Sequence, residues 1–441
     1  MGTKVGVISL GCVKNQVDTE EMLSFLMKDG FGFVGDPAAA EVLVVNTCGF
    51  IASAKEESID TILEMAEYKK TGVCRVLCVT GCLSQRYGKE LTEEIPEIDV
   101  LTGVSQYPSL PQYIRQAMQG QKAGSTKRGA DFAGCGRVLT TAPYTAYVRI
   151  SEGCDNRCAY CAIPLIRGGF RSRKEEDILA EMAELAQNGV KEQIIISQDT
   201  SRYGADLKGT SLAKLLKKAE MIPGITWLRA LYCYPDETSK ELIDALNTNS
   251  KFCKYLDLPL QHASPSVLKR MNRRGDIREI EKLLIYARER GFALRTTMIV
   301  GFPGETEEDF EELMAFVERV RFDRLGAFAF SREEDTPAYS MKDQIPEEIK
   351  QMRLDRLMAK QQQISLQRNL ERVGSIEKVL VTQVRGKKAF GRSAWEAPDS
   401  DGLIEIKAAK KLKEGQFVTV KISDASEYDL RADLLSEEVS P

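Results

Sequence analysis

Three cysteines within eight residues constrain this chain more than any other feature of its sequence. Cys154, Cys158 and Cys161 follow the spacing CxxxCxxC, which is short enough for all three sulfurs to face one centre. Three thiolates on a four-iron cluster leave one iron without a protein ligand, and that iron can bind the amino and carboxylate groups of a small molecule. The alternative is zinc with a fourth ligand, but no further thiol follows until Cys233.

Composition narrows the class of protein. The chain has 441 residues, which suits two or three domains, and 43% of them are hydrophobic, which is enough for well-formed cores. No apolar run approaches the roughly eighteen residues of a membrane span. The first ten residues have the pattern of a buried strand and not of a signal peptide, so we expect a cytoplasmic protein. Eleven Cys then indicate metal or redox chemistry, and the single His262 excludes a Ser-His-Asp triad.

Residues 1–119 alternate short apolar strands with helical patterns. This alternation predicts an open, parallel, flavodoxin-like α/β domain. Cys12, Cys48 and Cys82 each follow a predicted strand directly and each adjoin a Gly. Because the carboxyl ends of parallel strands share one edge of a sheet, we expect the three thiols to meet there; the alternative is three unrelated buried cysteines.

Other cysteines are assigned differently. Cys74 and Cys78 lie four residues apart within a predicted strand, which places them on one face as core residues. Cys135 falls within residues 120–142, a Gly-, Lys- and Ser-rich stretch that we interpret as a linker, and it receives no role.

Residues 143–372 repeat the alternation on a larger scale, with six strands that predict an incomplete β/α barrel. Chemistry in such barrels gathers after the strands. The candidates for holding a cofactor are Tyr160, inside the cysteine loop, and four residues after later strands: Gln198, Asp199, Gly301 and Glu305. Asp199 and Glu305 have helix capping as an alternative role. The basic run from Arg167 to Lys174 is either a carboxylate-binding segment or a solvated loop.

The C-terminal part changes pattern. Residues 346–372 predict a polar helical strut, and residues 373–441 contain five short strands that predict a small antiparallel, OB-like barrel. This segment has 11 Lys+Arg and 12 Asp+Glu, a net charge of −1. Strong nucleic-acid binding requires a positive surface, so a basic protein is the better partner. Asp399, Asp401 and Glu405 are the candidate docking residues.

These motifs together resemble the methylthiotransferase family of radical S-adenosylmethionine enzymes, across nearly the whole chain. That family joins an N-terminal three-cysteine domain, a radical S-adenosylmethionine barrel and a TRAM domain. The resemblance implies two 4Fe-4S clusters and S-adenosylmethionine as cofactors. It assigns Cys154, Cys158 and Cys161 to the cluster that generates the radical, and Cys12, Cys48 and Cys82 to an auxiliary cluster.

The family has two branches, one acting on an adenosine of transfer RNA and the other on an aspartate of ribosomal protein S-twelve. Three stretches resemble the second branch, with Val13 and Gln16 as small departures: Gly11-Cys12-Val13-Lys14-Asn15, residues 197–204, and Gly391-Arg392 with Asp399 and Asp401. The resemblance therefore implies sulfur insertion at the aspartate β-carbon, followed by methyl transfer. It also implies a monomer that docks S-twelve through its C-terminal barrel and takes electrons from a donor such as flavodoxin.

Radical chemistry is consistent with the physics of that reaction, because an unactivated C–H bond has no usable acidity near neutral pH. Two alternatives stay open from the sequence: a transfer-RNA adenosine methylthiotransferase, and a non-catalytic binding protein stabilised by metal. Iron analysis distinguishes the non-catalytic binding protein from both kinds of methylthiotransferase.

Overall fold

The computed structural model describes residues 2–128, 136–386, 388–407 and 412–437. Residues 129–135 of the predicted linker, including Cys135, therefore lie outside the described residues. The chain divides into two compact units. The first comprises Met1–Ala142, Tyr147–Glu181 and Ser331–Tyr339, and the second comprises Pro143–Ala146, Met182–Phe330 and Ser340–Pro441.

The first unit contains a six-stranded parallel sheet, which confirms the predicted open α/β fold. Its strands are β1 (Lys4–Ser9), β2 (Gly32–Phe33), β3 (Val42–Thr47), β4 (Val76–Gly81), β5 (Val100–Thr102) and β6 (Ala123–Ser125). Its helices are α1 (Val13–Lys28), α2 (Ala52–Thr71), α3 (Cys82–Glu94) and α4 (Leu110–Met118). The strand order is β2-β1-β3-β4-β5-β6. The short edge strands β2 and β6 were not predicted, and β6 lies within the stretch interpreted as a linker.

The strands β3 and β4 are buried on both faces, as the helices on either side of a parallel sheet require. One face packs Leu43, Val45 and Leu77, and the other packs Val42, Val44 and Val76. Cys74 and Cys78 are both core residues, as predicted, but the prediction of a shared face was wrong. Cys74 packs with the first face and Cys78 with the second. The alternation of a strand does not extend to Cys74, because β4 begins only at Val76.

The remainder of the first unit surrounds the cysteine loop. Its elements are β7 (Thr145–Arg149), of which the first two residues belong to the second unit, then β8 (Ser151–Glu152), α5 (Ile163–Arg167), β9 (Arg171–Ser172) and α6 (Glu175–Gln187), which ends in the second unit. β8 and β9 pair antiparallel, with Ser151 opposite Ser172 and Glu152 opposite Arg171. This short hairpin closes the base of the loop that carries Cys154, Cys158 and Cys161.

The second unit continues the strand-helix alternation. Its strands are β10 (Glu192–Ile196), β11 (Trp227–Ala230), β12 (Tyr255–Asp257), β13 (Ala293–Val300) and β14 (Arg324–Ala329). The helices are α7 (Leu212–Ala219), α8 (Lys240–Thr248), α9 (Pro265–Arg270), α10 (Ile277–Glu289) and α11 (Glu307–Val320). β10 pairs parallel with β11, and β12, β13 and β14 form a parallel sheet. With β7 these are the six predicted strands of the incomplete barrel.

Helix α12 (Glu347–Leu370) leads into the C-terminal barrel. Its polar side chains contact both the strand-helix part that precedes it and the barrel that follows it. Gln361 donates to the Phe322 carbonyl, and Asn369 donates to the carbonyls of Ser426 and Glu427. The helix therefore acts as the predicted strut within this unit. Among the described residues, no helix combines the length and the apolarity that crossing a membrane requires.

The C-terminal barrel is closed, with the strand order β15-β16-β17-β19-β18. Its strands are β15 (Ile376–Arg385), β16 (Lys388–Arg392), β17 (Ile404–Lys407), β18 (Phe417–Ala425) and β19 (Leu430–Glu437). The predicted small barrel is confirmed; four of its strand pairs are antiparallel, and β17 and β19 run parallel. One parallel pair follows from closure, because strand direction cannot alternate all the way around a ring with an odd number of strands.

Candidate active site

Cys12, Cys48 and Cys82 stand at the carboxyl edge of the first sheet, which we call the strand-end crevice. Cys12 is the N-cap residue of α1, and Cys82 is the first residue of α3. The strand order reverses direction between β1 and β3, and open α/β sheets bind ligands at such a switch point. Two helix N-termini at this edge also favour an anionic group there.

Gly11 shows how tightly the crevice is built. Its φ angle is +86°, and a Cβ added there would lie 2.8 Å from the Cys48 Cβ and 3.0 Å from the Cys48 Sγ. A side chain at this position would therefore displace one of the candidate ligands. The turn after β1, which carries Cys12, consequently lies directly against Cys48 in the turn after β3.

Asn15 joins all three strand ends. It is fully buried, and its Nδ2 donates to the Thr47 carbonyl at 2.8 Å and to the Leu10 carbonyl at 3.1 Å. Its Oδ1 accepts from the Cys82 Sγ at 3.4 Å. The side chain thus fixes the turns that precede Cys12 and Cys48 and contacts Cys82 as well. In the sequence, Asn15 stands out only as part of the motif Gly11-Cys12-Val13-Lys14-Asn15, which does not indicate this role.

Two of the three crevice thiols, Cys48 and Cys82, are buried in a low-polarity environment. Burial raises the pKa of Cys48, and it raises the pKa of Cys82 to about 12 although the Arg167 guanidinium lies beside it and acts in the opposite direction. Thiolates at these positions therefore require a positive partner, which a bound metal supplies. The donor set is chemically suited to iron, which in clusters is bound by thiolate sulfur.

The second cysteine set sits on the loop closed by β8 and β9. The Cys154 backbone N–H donates to the Gly168 carbonyl at 3.0 Å, and the Phe170 N–H donates to the Asp155 carboxylate at 3.1 Å. The Cys161 N–H donates to the Cys158 carbonyl at 3.0 Å. Cys158 is buried, whereas Cys154 and Cys161 are half-buried. Hydrogen bonds of its own backbone thus fix the conformation of the loop, and its three cysteines differ in their exposure to solvent.

Neither set is arranged as a site for a single ion. Across residues 2–128, 136–386, 388–407 and 412–437, no group of three or more His, Cys, Asp or Glu side chains could hold one metal ion. A four-iron cluster is itself several ångströms across, so its cysteine ligands stand further apart than the ligands of one zinc ion. The two cysteine sets fit that larger group in donor chemistry, and their assignment to clusters stays a prediction.

A buried ionic network connects the two cysteine sets within the first unit. Asp18 on α1 pairs with both Arg149 and Arg167, at 2.7 Å in the second case. Glu152, directly before the loop, also pairs with both arginines, at 2.8 and 3.0 Å. Burial alone would lower the pKa of each arginine, but the carboxylates hold both pKa values well above the ordinary value. The one signal for this network in the sequence is the acidic composition of α1, which directly follows Cys12.

Two arginines of the basic run from Arg167 to Lys174 are buried and hold carboxylates of the protein itself. Arg167 pairs with Asp18 and Glu152, and Arg173 pairs with Glu181 at 2.6 Å. The solvated-loop alternative was therefore wrong for these two arginines, and the carboxylates they bind belong to the fold. Their partners come from other parts of the fold, which the spacing of charges along the run cannot indicate.

The remaining candidates for cofactor binding are divided between the units. Tyr160 lies half-buried on the cysteine loop in the first unit, and Gln198 lies half-buried after β10 in the second. Asp199 is buried, and its Oδ1 accepts from the Ser201 hydroxyl at 2.9 Å and from the Arg202 N–H at 3.3 Å. Asp199 therefore stabilises a turn and does not cap a helix.

Glu305 anchors the strut helix instead of capping α11. Its Oε1 accepts from Arg353 on α12 at 2.9 Å, while Thr306 is the residue that caps α11. Burial raises the pKa of Glu305 to about 7. Gly301 is also fixed by this helix, since its φ is +73° and an added Cβ would lie 2.3 Å from the Lys350 Cγ. The capping alternative for Glu305 was therefore wrong.

The candidate docking residues of the C-terminal barrel differ in exposure. Asp399 is exposed, and Glu405 pairs with the exposed Lys388 at 2.7 Å. Asp401 has a buried side chain, which accepts from the Tyr255 hydroxyl at 2.6 Å and from the Ala397 N–H at 2.8 Å. The prediction of Asp401 as a docking residue was wrong, because its carboxylate is already occupied by donors inside the unit.

Three family models match the chain. The Radical SAM superfamily matches residues 148–317, the Uncharacterized protein family UPF0004 matches residues 4–103, and the TRAM domain matches residues 373–435. Among curated relatives, the "Ribosomal protein uS12 methylthiotransferase RimO" of Clostridium tetani is 49% identical over 97% of this chain and 97% of the relative. The protein of the same name from Pelotomaculum thermopropionicum is 50% identical over 98% of this chain and 99% of its own length.

Solved structures are similar at the level of the fold. The radical S-adenosylmethionine methyltransferase TsrM from Kitasatospora setae, with cobalamin and a [4Fe-4S] cluster bound, has a TM-score of 0.56 at 15% identity and covers 77% of this chain and 74% of its own. The cobalamin-dependent S-adenosylmethionine radical enzyme OxsB has a TM-score of 0.51 at 12% identity, covering 82% of this chain and 56% of its own. These similarities support the α/β architecture.

Proposed function

The chain belongs to the family of ribosomal protein uS12 methylthiotransferases, and we propose that it inserts sulfur at the β-carbon of an aspartate of uS12 and then methylates that sulfur. The chain is a radical S-adenosylmethionine enzyme that uses S-adenosylmethionine and a 4Fe-4S cluster. Relatives at 49% and 50% identity carry the ribosomal-protein name, so the transfer-RNA and non-catalytic alternatives are set aside.

One observation supports the proposal most strongly. Both cysteine sets lie in the same compact unit, and a single side chain on the cysteine loop, Arg167, lies 3.4 Å from the Cys82 Sγ. Sulfur insertion at a carbon radical requires the radical source and the sulfur donor to act on the same substrate atom. A loop that reaches the strand-end crevice meets this requirement.

We assign Cys154, Cys158 and Cys161 to the cluster that reacts with S-adenosylmethionine. When bound, that cluster supplies the reducing electron and an iron with an open coordination position. The loop's own contribution is order, because its backbone hydrogen bonds fix the three thiols before the metal arrives. The half-buried Cys154 and Cys161 leave a side of the loop open for the cofactor.

We assign Cys12, Cys48 and Cys82 to a second 4Fe-4S cluster that carries the sulfur. Asn15 holds the strand ends in place, and the N-termini of α1 and α3 offset the negative charge of the bound thiolates. The exposure of Cys12 gives the crevice a side from which a sulfur source can approach.

For the cofactor's amino acid, ribose and adenine we retain the five predicted residues, in two roles. Tyr160 and Gln198 are the proposed direct contacts, because both residues are only half-buried. Asp199, Gly301 and Glu305 shape the loops after their strands, since their side chains or backbone positions are already fixed by neighbours. A cofactor that must react in one orientation requires rigid polar groups of this kind.

The partners follow from the substrate. We propose that Asp399 and Glu405 contribute to docking of the basic uS12. A protein such as flavodoxin supplies the electrons. The enzyme acts as a monomer in the cytoplasm, where ribosomal proteins are made. The contribution of the C-terminal barrel is expected to be electrostatic and therefore sensitive to salt.

The proposal is tested by anaerobic reconstitution with iron and sulfide. Two clusters require about eight iron and eight sulfide per chain. The variant with Cys12, Cys48 and Cys82 all changed to Ala should hold about half that iron, should still cleave S-adenosylmethionine to deoxyadenosine, and should form no methylthiolated uS12. A triple variant with the iron content of the parent would contradict the second cluster, and modification of transfer RNA in place of uS12 would contradict the substrate.

A further inference from the structure

Arg167 reaches from one cysteine set to the other. It is the last residue of α5 and follows Cys161 by six positions, yet its side chain is buried among residues of the strand-end crevice. Its Nη2 lies 2.7 Å from the Asn15 Oδ1, 2.7 Å from the Asp18 Oδ2 and 3.4 Å from the Cys82 Sγ. All of these residues belong to the first unit.

The helix that carries Arg167 packs against the same place. Ala162 and Ile166 are fully buried and form an apolar cluster with Cys82 and Val104. The approach of the guanidinium to the sulfur is therefore set by helix packing and not only by a flexible side chain. Its Nη1 also donates to Glu152 at 3.0 Å, so the guanidinium is held at both ends.

The contact at Cys82 changes character when the sulfur binds iron. As a thiol, Cys82 donates its proton to the Asn15 Oδ1. As a bound thiolate it has no proton and can only accept hydrogen bonds, and the Nη2 of Arg167 is already within reach of that sulfur. A charged donor to a ligand sulfur stabilises the cluster more in its reduced state, which carries the more negative charge, and so raises its reduction potential.

We propose that Arg167 is a positioning residue that holds the Cys82 thiolate and raises the reduction potential of the auxiliary cluster, so that the loop binding one cluster tunes the other. This inference rests on the proposed function, because it takes Cys12, Cys48 and Cys82 as cluster ligands. It deepens that function by naming the side chain through which the two metal centres are coupled.

The test uses a protein that cannot bind the cluster of the cysteine loop, so that only the auxiliary cluster is measured. The background is the full chain with Cys154, Cys158 and Cys161 changed to Ala, reconstituted so that only the auxiliary cluster remains. In this background the midpoint potential is measured by redox titration followed by electron paramagnetic resonance. Arg167→Gln should lower the ratio of reduced to oxidised cluster at a fixed potential about tenfold, equivalent to a shift of about 59 mV for one electron.

Arg167→Lys keeps the positive charge and should restore most of the ratio. Arg128→Gln is the matched control, because exposed Arg128 donates to the Leu165 carbonyl of the same helix at 2.9 Å without contacting sulfur. It should leave the potential unchanged. Arg167→Gln also leaves the Asp18 carboxylate near the cluster without this partner. The double variant with Asp18→Asn removes that negative charge and should recover part of the ratio but not all of it, because the hydrogen bond to the Cys82 sulfur is still missing.

The possible outcomes distinguish the role of Arg167 from the assignment of Cys12, Cys48 and Cys82 as cluster ligands. A parental potential in Arg167→Gln or in the double variant, with iron retained, overturns the role of Arg167 and leaves the ligand assignment standing. A background protein that binds no iron overturns the ligand assignment, and the role of Arg167 with it. If Arg128→Gln lowers the potential as much as Arg167→Gln does, the inference is also overturned, because loss of a positive charge alone would then explain the effect.

Discussion

Arg392 in the C-terminal barrel donates to the carboxylate of Glu192 on β10 at 2.6 Å, although the two residues are 200 positions apart in the chain. Glu192 is fully buried and is also within hydrogen-bond distance of Arg229 and of the Thr145 hydroxyl. Burial on its own would raise the pKa of Glu192, but the two arginines outweigh it and lower that pKa to about 2. The barrel is thus attached to the strand-helix part of the second unit by a buried ionic contact.

Removing this carboxylate should be costly. Glu192→Gln removes the buried carboxylate that pairs with both Arg392 and Arg229, and breaking a buried pair costs about 3–5 kcal/mol in the free energy of unfolding. Urea denaturation of the apo protein measures the loss. Glu405→Gln is the control, because its pair with Lys388 is exposed and should contribute less than about 1 kcal/mol. Equal losses in the two variants would contradict the interpretation.

Deleting residues 374–441 should destabilise the second unit as well as remove a docking surface. Trp227 and Cys253 pack with Leu380 and Phe417 of the barrel, and Arg324 pairs with Glu396 at 3.0 Å. The deletion exposes the apolar residues and leaves buried charges unpaired. We expect a lower melting temperature and aggregation, followed by light scattering. A truncated chain that melts like the parent would show that these contacts contribute little.

The docking hypothesis is better tested by single substitutions. Asp399→Ala, at an exposed position, should slow association with uS12, and more at low salt than at high salt. Asp401→Ala should instead reduce the free energy of unfolding by about 1–3 kcal/mol, because the Tyr255 hydroxyl and the Ala397 N–H lose their acceptor. Stopped-flow binding at two ionic strengths and denaturation of both variants distinguish the effects. Identical behaviour of the two variants would contradict the assignment.

His262 should make the protein less stable in mild acid. Its Nδ1 accepts from the Ser264 N–H at 2.9 Å, and burial lowers its pKa to about 3. Below pH 6.5 the unfolded chain binds a proton that the folded chain refuses, so stability falls as pH decreases from 6.5 towards 3. From pH 6.5 to 5 this amounts to about 2 kcal/mol.

His262→Asn should lack this part of the pH dependence. The nearby Glu305, with a pKa raised to about 7, acts in the opposite direction, since its stability cost grows as pH rises from 4.5 to 7. The comparison of parent and variant cancels that contribution. The chain has one His, so its imidazole resonance can be followed by NMR without assignment. Titration of that resonance near pH 6.5 in the folded protein would contradict the prediction.

Cys158→Ala should abolish reductive cleavage of S-adenosylmethionine, because three thiolates are needed to hold the cluster and no further thiol lies on the loop. The readout is deoxyadenosine formed under reducing conditions. Cys74→Ala is the matched control, since Cys74 is a buried core residue. It should keep both iron content and cleavage. Deoxyadenosine at the parental level from Cys158→Ala would remove the loop from the mechanism.

Local features could be predicted well from the sequence. The spacing of Cys154, Cys158 and Cys161 spans eight residues, so chain connectivity alone keeps the thiols together. The strand-helix alternation gave the parallel sheet, and therefore also the common edge for Cys12, Cys48 and Cys82, because parallel strands end on the same side. The edge strands β2 and β6 escaped prediction because two or three residues carry no readable period.

What the sequence by itself determined is thus most of the helices and strands and the positions of the candidate metal ligands along the chain. The tertiary structure alone decided the state of the charged residues. Arg167, Glu192 and Asp401 are buried because partners from distant parts of the chain supply opposite charge or hydrogen bonds. A charged side chain is stable away from water only with such partners, and their arrival depends on how the elements pack, which no local pattern encodes.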